Sequence, residues 1–207
     1  MLPNVIALLC GRKIIPPLIV FFLFKLSSVQ AQCNLLCNTD FENLQNSPTV
    51  IIVDTSQVPC WGTTASDNKI EVWHTGYNGV PSYSGNQFIE LNAFFVSTLF
   101  QNFVSSPGTA LTVSFAHRGR AGVDVMSVEV GPVGGPYTPL GTFSDGTSAW
   151  GYYTVNYTIP SGVGNNFSLR FNSVSAAGGN PAIGNFLDAI SVNLPSSATL
   201  SFASLAT

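Results

Sequence analysis

From about Asn38 to Asn193 the chain is written in short runs of alternating apolar and polar residues, broken by turns. Leu111-Thr-Val-Ser-Phe115 and Met126-Ser-Val-Glu-Val130 show the period of two. Tyr153-Thr-Val-Asn-Tyr157-Thr-Ile159, Phe167-Ser-Leu-Arg-Phe171 and Ile190-Ser-Val192 repeat it. Alternation of this kind buries one face of an antiparallel strand and leaves the other wet. Between the runs stand turn clusters: Ser105-Ser-Pro-Gly108, Gly131-Pro-Val-Gly-Gly-Pro136, Asp145-Gly146 and Pro160-Ser-Gly162. Gly and Pro there supply the backbone angles that reversals need. No stretch carries a helical period. The pattern predicts an all-β fold, two antiparallel sheets packed as a sandwich or jelly roll. No internal repeat or linker divides residues 38–193, so they read as one domain.

The front of the chain reads differently. Arg12 and Lys13 precede an apolar run from Ile14 to Leu26, and Val29-Gln30-Ala31 fits the small-residue rule of a cleavage site. These features predict a secretory signal over residues 1–31, with residues 32–37 as a lead-in and an uncleaved anchor as the alternative. Pro16, Pro17 and Lys25 make the run too short and broken for a comfortable membrane span. Residues 194–207 are rich in Ser, Ala and Thr and read as a tail or the start of a linker.

Removal of residues 1–31 changes the charge. Three of the seven basic residues leave with the leader, so Lys69, Arg118, Arg120 and Arg170 face ten carboxylates, a formal charge of −6. Nothing resembles the basic footprint that phosphate backbones require, which argues against nucleic acid as a partner. Charged residues are only 8% of the chain, so Ser, Thr, Asn and Gly must make most of its surface, as in an extracellular β protein.

Cys10 goes with the leader, leaving Cys33, Cys37 and Cys60. In an oxidising compartment a disulfide can persist. Cys37–Cys60 would tie the first segment to the next, and Cys33–Cys37 would close a tight N-terminal loop. Either pairing leaves one thiol over. The three lack paired zinc-ligand spacing, and His74 and His117 lie far along the chain.

Asn38-Thr39-Asp40-Phe41-Glu42 resembles the opening of galactose-binding-like jelly rolls, a group that includes many carbohydrate-binding modules. Gly184-Asn-Phe-Leu-Asp188-Ala-Ile-Ser-Val192 resembles their closing strand. Glu90-Leu-Asn92, Phe100-Gln101 and Ser106-Pro-Gly108 match the middle, and His117-Arg-Gly-Arg120 with Asp124 and Met126 is similar to modules of bacterial surface and secreted proteins. The resemblance covers nearly all of residues 38–193. It implies neighbouring first and last strands sharing a structural calcium, for which Asp40, Glu42 and Asp188 are the matching carboxylates, supplemented by backbone carbonyls. Calcium takes several hard oxygens and tolerates irregular geometry. The alternative is that Glu42 and Asp188 hydrogen-bond backbone N–H groups. The resemblance also implies a carbohydrate or another surface polymer as partner.

Two stretches could hold such a partner. Trp61 to Tyr83 is rich in Trp, Tyr, Gly, Asn and Asp, and within it Trp73 to Gly79, followed by Tyr83, lacks the period of two and reads as a long functional loop. There Trp73, Tyr77 and Tyr83 could stack on sugar faces, and Asp67, Glu71, His74 and Asn78 could meet hydroxyls. The competing reading makes Trp61 and Trp73 buried anchors. His117, Arg118 and Arg120, with Asp124, crowd cations at a strand end and could form a polar rim. An Arg120–Asp124 or Arg118–Glu brace is the weightier alternative. Trp150, Tyr152 and Tyr153 open a strand with one tyrosine outward, and read as packing residues first and a second patch only after that.

Catalysis is not expected. Glu71, Glu90, Asp124 and Glu129 could pair as glycosidase acids, but nothing in the sequence brings two of them together. There is no Gly-x-Ser-x-Gly elbow, His-Glu-x-x-His helix or phosphate loop. The sequence therefore reads as a secreted, non-catalytic binding module, with a purely structural or adhesive module as the alternative.

Overall fold

The computed structural model describes residues 34–44 and 49–195. The expected signal, Cys33 and nearly all of the expected tail lie outside the described residues. Eleven strands follow in order: β1 (Val50–Asp54), β2 (Gly62–Thr63), β3 (Lys69–His74), β4 (Gln87–Glu90), β5 (Thr98–Val104), β6 (Ala110–Arg118), β7 (Asp124–Pro132), β8 (Thr138–Asp145), β9 (Gly151–Thr158), β10 (Asn166–Ser175) and β11 (Phe186–Asn193). They form a six-stranded sheet, β1-β3-β4-β11-β6-β9, and a five-stranded sheet, β2-β5-β10-β7-β8. Every pairing is antiparallel. Among the described residues the helical pieces are three short 3-10 turns, and no helix is long and apolar enough to cross a membrane.

Alternation predicts the central strands correctly. In β7, Met126, Val128 and Val130 point inward, and in β10 Phe167, Leu169 and Phe171 do the same; all six are sealed from solvent. Leu111, Val113 and Phe115 of β6 meet them from the other sheet, with Ile89 and Leu187. Phe115 touches Phe171 edge-on at 5.4 Å, which ties the two layers across the core. At roughly 1.5–3 kcal/mol for each fully buried large side chain, this layer is the main support of the sandwich.

The opening segment lies beside the closing strand, as the resemblance implies. Asn34 bridges Asn193, its side chain accepts the Val192 N–H at 2.9 Å, and the Ile190 N–H donates to the Thr39 carbonyl. Phe41 is fully buried against Trp61, whose indole N–H donates to the Asn38 carbonyl at 2.8 Å. Cys37 and Cys60 form the disulfide, with Cα atoms 6.2 Å apart.

Of the stretch read as a long functional loop, Trp73 and His74 end β3, and Thr75 to Tyr83 lies between β3 and β4. β3 itself is buried on both faces. Ile70 and Val72 face the core, while Glu71 and Trp73 are covered from the other side.

Candidate functional site

Residues paired across neighbouring strands share a face of the sheet. The register therefore lays out the outer face of the six-stranded sheet: Trp73 opposite Phe88, Glu71 opposite Glu90, Glu90 opposite Phe186, and Phe186 opposite Arg118. Further along, Asp188 stands opposite Ala116 and Ala116 opposite Tyr152, followed by Ser114–Thr154 and Thr112–Asn156. Loops cover the first half of this face and leave the second open.

The covered half is an aromatic and ionic cluster. Trp73 is only 2% exposed, packed against Phe88, Phe186 and Tyr77 with centroids at 6.0, 4.8 and 5.2 Å. Its indole N–H donates to Glu71 Oε1 at 2.9 Å and Glu90 Oε2 at 3.1 Å. The Arg120 guanidinium lies 4.8 Å over the indole ring and donates through Nη1 to both Glu90 oxygens, at 2.9 and 2.7 Å. The same nitrogen is 3.6 Å from Glu71 and donates to the Ala182 carbonyl at 3.2 Å. The Gly184 N–H donates to Glu90 at 2.6 Å. Burial, then the neighbouring Glu71 charge, pushes the Glu90 carboxyl up to about 8 against the pull of Arg120. Burial raises Glu71 too, with Arg120 opposing.

Trp73 and Arg120 are thus set into the molecule rather than presented to a ligand. The expected Arg120–Asp124 brace exists in altered form. Fully buried Asp124 accepts the backbone N–H groups of Arg120, Ala177 and Asn185 at 2.7, 2.7 and 3.1 Å, while the guanidinium turns to the glutamates. His117 is sealed, with Nδ1 2.7 Å from Asp145 and Nε2 2.9 Å from Asn185. The Tyr153 hydroxyl donates to the same Asp145, and burial followed by that hydrogen bond pushes it up to about 12. Arg118 is buried and donates to the Thr147 carbonyl; burial lowers its pKa. The polar rim expected from His117, Arg118 and Arg120 is therefore a set of inward braces. Their side-chain partners lie 28 to 68 residues away in sequence, beyond the reach of local pattern.

The open half carries a platform. The Tyr83 and Tyr152 rings lie parallel within 7°, centroids 5.3 Å apart, and the residues are 45% and 50% exposed. Trp150 meets Tyr83 edge-on at 6.3 Å and anchors itself by donating to the Pro81 carbonyl at 2.8 Å. Asp188 accepts the Tyr83 and Ser84 N–H groups at 2.8 and 2.9 Å. Tyr83 thereby reaches from Asp188 to Tyr152 across small, fully buried Ala116. Beside the rings runs a neutral polar strip: Ser114 with Thr154 at 3.0 Å, and Thr112 with Asn156 at 3.2 Å. Of the other expected ligand residues, His74 is half-buried with Nδ1 on the Thr75 carbonyl, and Asn78 is exposed in the Tyr77–Gly79 turn. Tyr83 was legible in the sequence as a stacking residue; Tyr152 was legible only as the outward member of an alternating strand.

The three expected calcium ligands do not assemble, and among the described residues no group of three His, Cys, Asp or Glu side chains could hold a metal. Glu42 and Asp188 do approach: burial first, and the Glu42 charge among lesser causes, push Asp188 up to about 7. Their oxygens face amide donors. Glu42 Oε1 accepts from Asn86 at 2.5 Å and Gln87 at 2.7 Å, and Asp188 Oδ1 from Ala189 at 2.6 Å. Gly85 permits this approach, since at φ +56° any Cβ would lie 2.3 Å from Glu42 Oε1. Calcium takes six to eight oxygens, and the carboxylate oxygens here are engaged by amide N–H groups.

No family model matches the sequence, and no curated protein does either. Solved structures do resemble the fold. A cyclase from Fischerella sp. TAU in complex with 4-(1H-indol-3-yl)butan-2-one has a TM-score of 0.59 at 16% identity, covering 82% of this chain and all of its own. The C-terminal family 22 carbohydrate-binding module of Clostridium thermocellum Xyn10B has a TM-score of 0.50 at 13% identity, covering 70% of this chain and 91% of its own. The tandem family 22 modules of Paenibacillus barcinonensis Xyn10C also reach 0.50, at 10% identity, covering 75% of this chain and 52% of theirs. The fold is thereby defined: an all-β jelly-roll sandwich, like those of these carbohydrate-binding modules and of the cyclase.

Proposed function

We propose that this is a secreted, non-catalytic module that binds a neutral carbohydrate chain along the open half of the six-stranded sheet. The observation that carries the reading is the parallel, half-exposed Tyr83–Tyr152 pair beside a strip of hydroxyl and amide groups with no cation in it. Sugar rings present apolar C–H faces to aromatic rings and hydroxyls to polar side chains. A platform fixed by Asp188 and Trp150 loses little freedom on binding, which favours affinity. The fold shared with carbohydrate-binding modules supports the reading, and the Cys37–Cys60 disulfide is consistent with an exported protein. The non-catalytic reading is supported by Glu71 and Glu90, which face each other, being sealed under loops and engaged by Arg120.

Affinity electrophoresis and calorimetry against a broad panel of soluble polysaccharides test this. Wild type should bind at least one neutral glycan, and Tyr152→Ala or Tyr83→Ala should weaken it tenfold or more, about 1.4 kcal/mol, with unchanged melting. Trp73→Ala should instead lower melting by removing a buried ring. Absence of binding across the panel would return the module to a structural or adhesive role. Glycan turnover abolished by Glu71→Gln would make it an enzyme.

A further inference from the structure

The covered half of the sheet holds a charge imbalance. Glu71 and Glu90 stand directly opposite one another on adjacent strands, an arrangement that is unfavourable when both are ionised. Their side chains are 6% and 0% exposed, and one guanidinium, that of Arg120, reaches them both. Every neighbouring element offers its charges elsewhere. Lys69 on β3 pairs with Asp54 at the exposed edge, and His74 is turned to the Thr75 carbonyl. Arg118 on β6 donates to Thr147, Asp124 on β7 is held by three amides, and Asp188 on β11 by the Tyr83, Ser84 and Ala189 amides. Tyr77 caps the indole, and residues 176–185 contain no titratable side chain.

Two buried carboxylates against one cation leave a net negative charge in a poorly solvated place, and such a site retains a proton instead. A protonated carboxyl has an O–H to donate, and Glu71 has Glu90 directly across from it on the neighbouring strand. We propose that Glu71, Glu90 and one shared proton form a clasp with Arg120 that holds the loops at 119–123 and 176–185 over the Trp73 cluster, and that loss of this proton releases them.

The clasp fastens both loops at once. Arg120 bonds Glu90 and the Ala182 carbonyl, and Glu90 takes the Gly184 amide. The second loop can yield, because Gly178, Gly179 and Gly184 all hold positive φ and leave the backbone few side chains to anchor it. Burial raises both carboxyls, which agrees with a proton kept at neutral pH and lost on mild alkalinisation. The pair titrates as a unit, so the event belongs to both residues. The inference stands whether or not the open face binds a glycan.

Hydrogen exchange followed by mass spectrometry on the whole protein tests it, from pH 6 to 9, with rates corrected for their intrinsic pH dependence. In wild type the peptide spanning 176–185 should lose at least tenfold protection with a midpoint near pH 8, while β7 and β10 keep theirs. Glu90→Gln keeps an acceptor for Gly184 and removes the surplus charge, so its protection should be flat across the range. If that variant does not fold, Glu71→Gln leaves the Arg120–Glu90 pair intact and should also be flat. Constant protection in wild type, or the same loss in the folded variant, overturns the proposal.

Discussion

Replacing Arg120 by alanine separates a structural arginine from a ligand-gripping one. The change takes the sole cation from two carboxylates that water hardly reaches. Breaking a buried ion pair from one side costs about 3–5 kcal/mol, because the partner charge is left uncompensated. Loss of the contact over Trp73 adds about 0.5–2 kcal/mol. For a domain of this size, each kcal/mol moves melting by about 2–4 °C, so a fall on the order of 10 °C is expected. The cost must also depend on pH. Carboxyls whose folded pKa is raised above the unfolded value bind more protons in the native state, so stability falls as pH rises from the unfolded toward the folded pKa. In wild type the Glu71–Glu90 pair carries one such surplus proton from about pH 4.5 to about 8, the window set by Glu90, while Asp188, raised to about 7, adds a decline common to wild type and variant. Without Arg120 a second is added, steepening the decline by about 1.4 kcal/mol per pH unit. Urea unfolding at pH 5, 6, 7 and 8 measures both effects, with Arg120→Lys losing about half as much at neutral pH. A loss below about 1 kcal/mol at pH 7, or one equal at pH 5 and pH 8, would mean that Arg120 is not held as described and would restore it as a surface ligand residue.

Two further outcomes follow from covalent and charged ties. Reducing Cys37–Cys60, or replacing both with serine, should cost about 3 kcal/mol by the loop-closure relation for a separation of 23 residues; denaturant midpoints with and without reductant check it. Because Glu42 and Asp188 engage amides, melting with and without a calcium chelator should coincide; a lower melting temperature in chelator would assign calcium to that pair after all.

How far the sequence could be read depended on whether a strand had a wet face. β6, β7, β9 and β10 alternate openly, and each was predicted near its observed place. β3 and β4 did not announce themselves, since the loops over Glu71, Trp73, Phe88 and Glu90 dry their outer side as well. β8 was missed because Pro139 and Gly141 dilute its pattern. For the His117–Arg120 group the sequence offered a brace ahead of a polar rim, but the distant carboxylates and carbonyls that engage it lay beyond any local pattern. The platform needed topology: Tyr83 and Tyr152 lie 69 positions apart, and only the order β11-β6-β9 sets Asp188, Ala116 and Tyr152 in one row.

The bridge from Asn34 to Asn193 has a mechanical consequence. Tension applied at residues 34 and 193 would draw apart two neighbouring antiparallel segments crosswise, so their hydrogen bonds would be loaded one after another, as in a zipper, and would resist weakly. The unzipping would run only three residues before the sulfur bond at Cys37 transferred the strain to Cys60, in the exposed turn ahead of β2. A domain stretched this way would give a little at first and then hold fast.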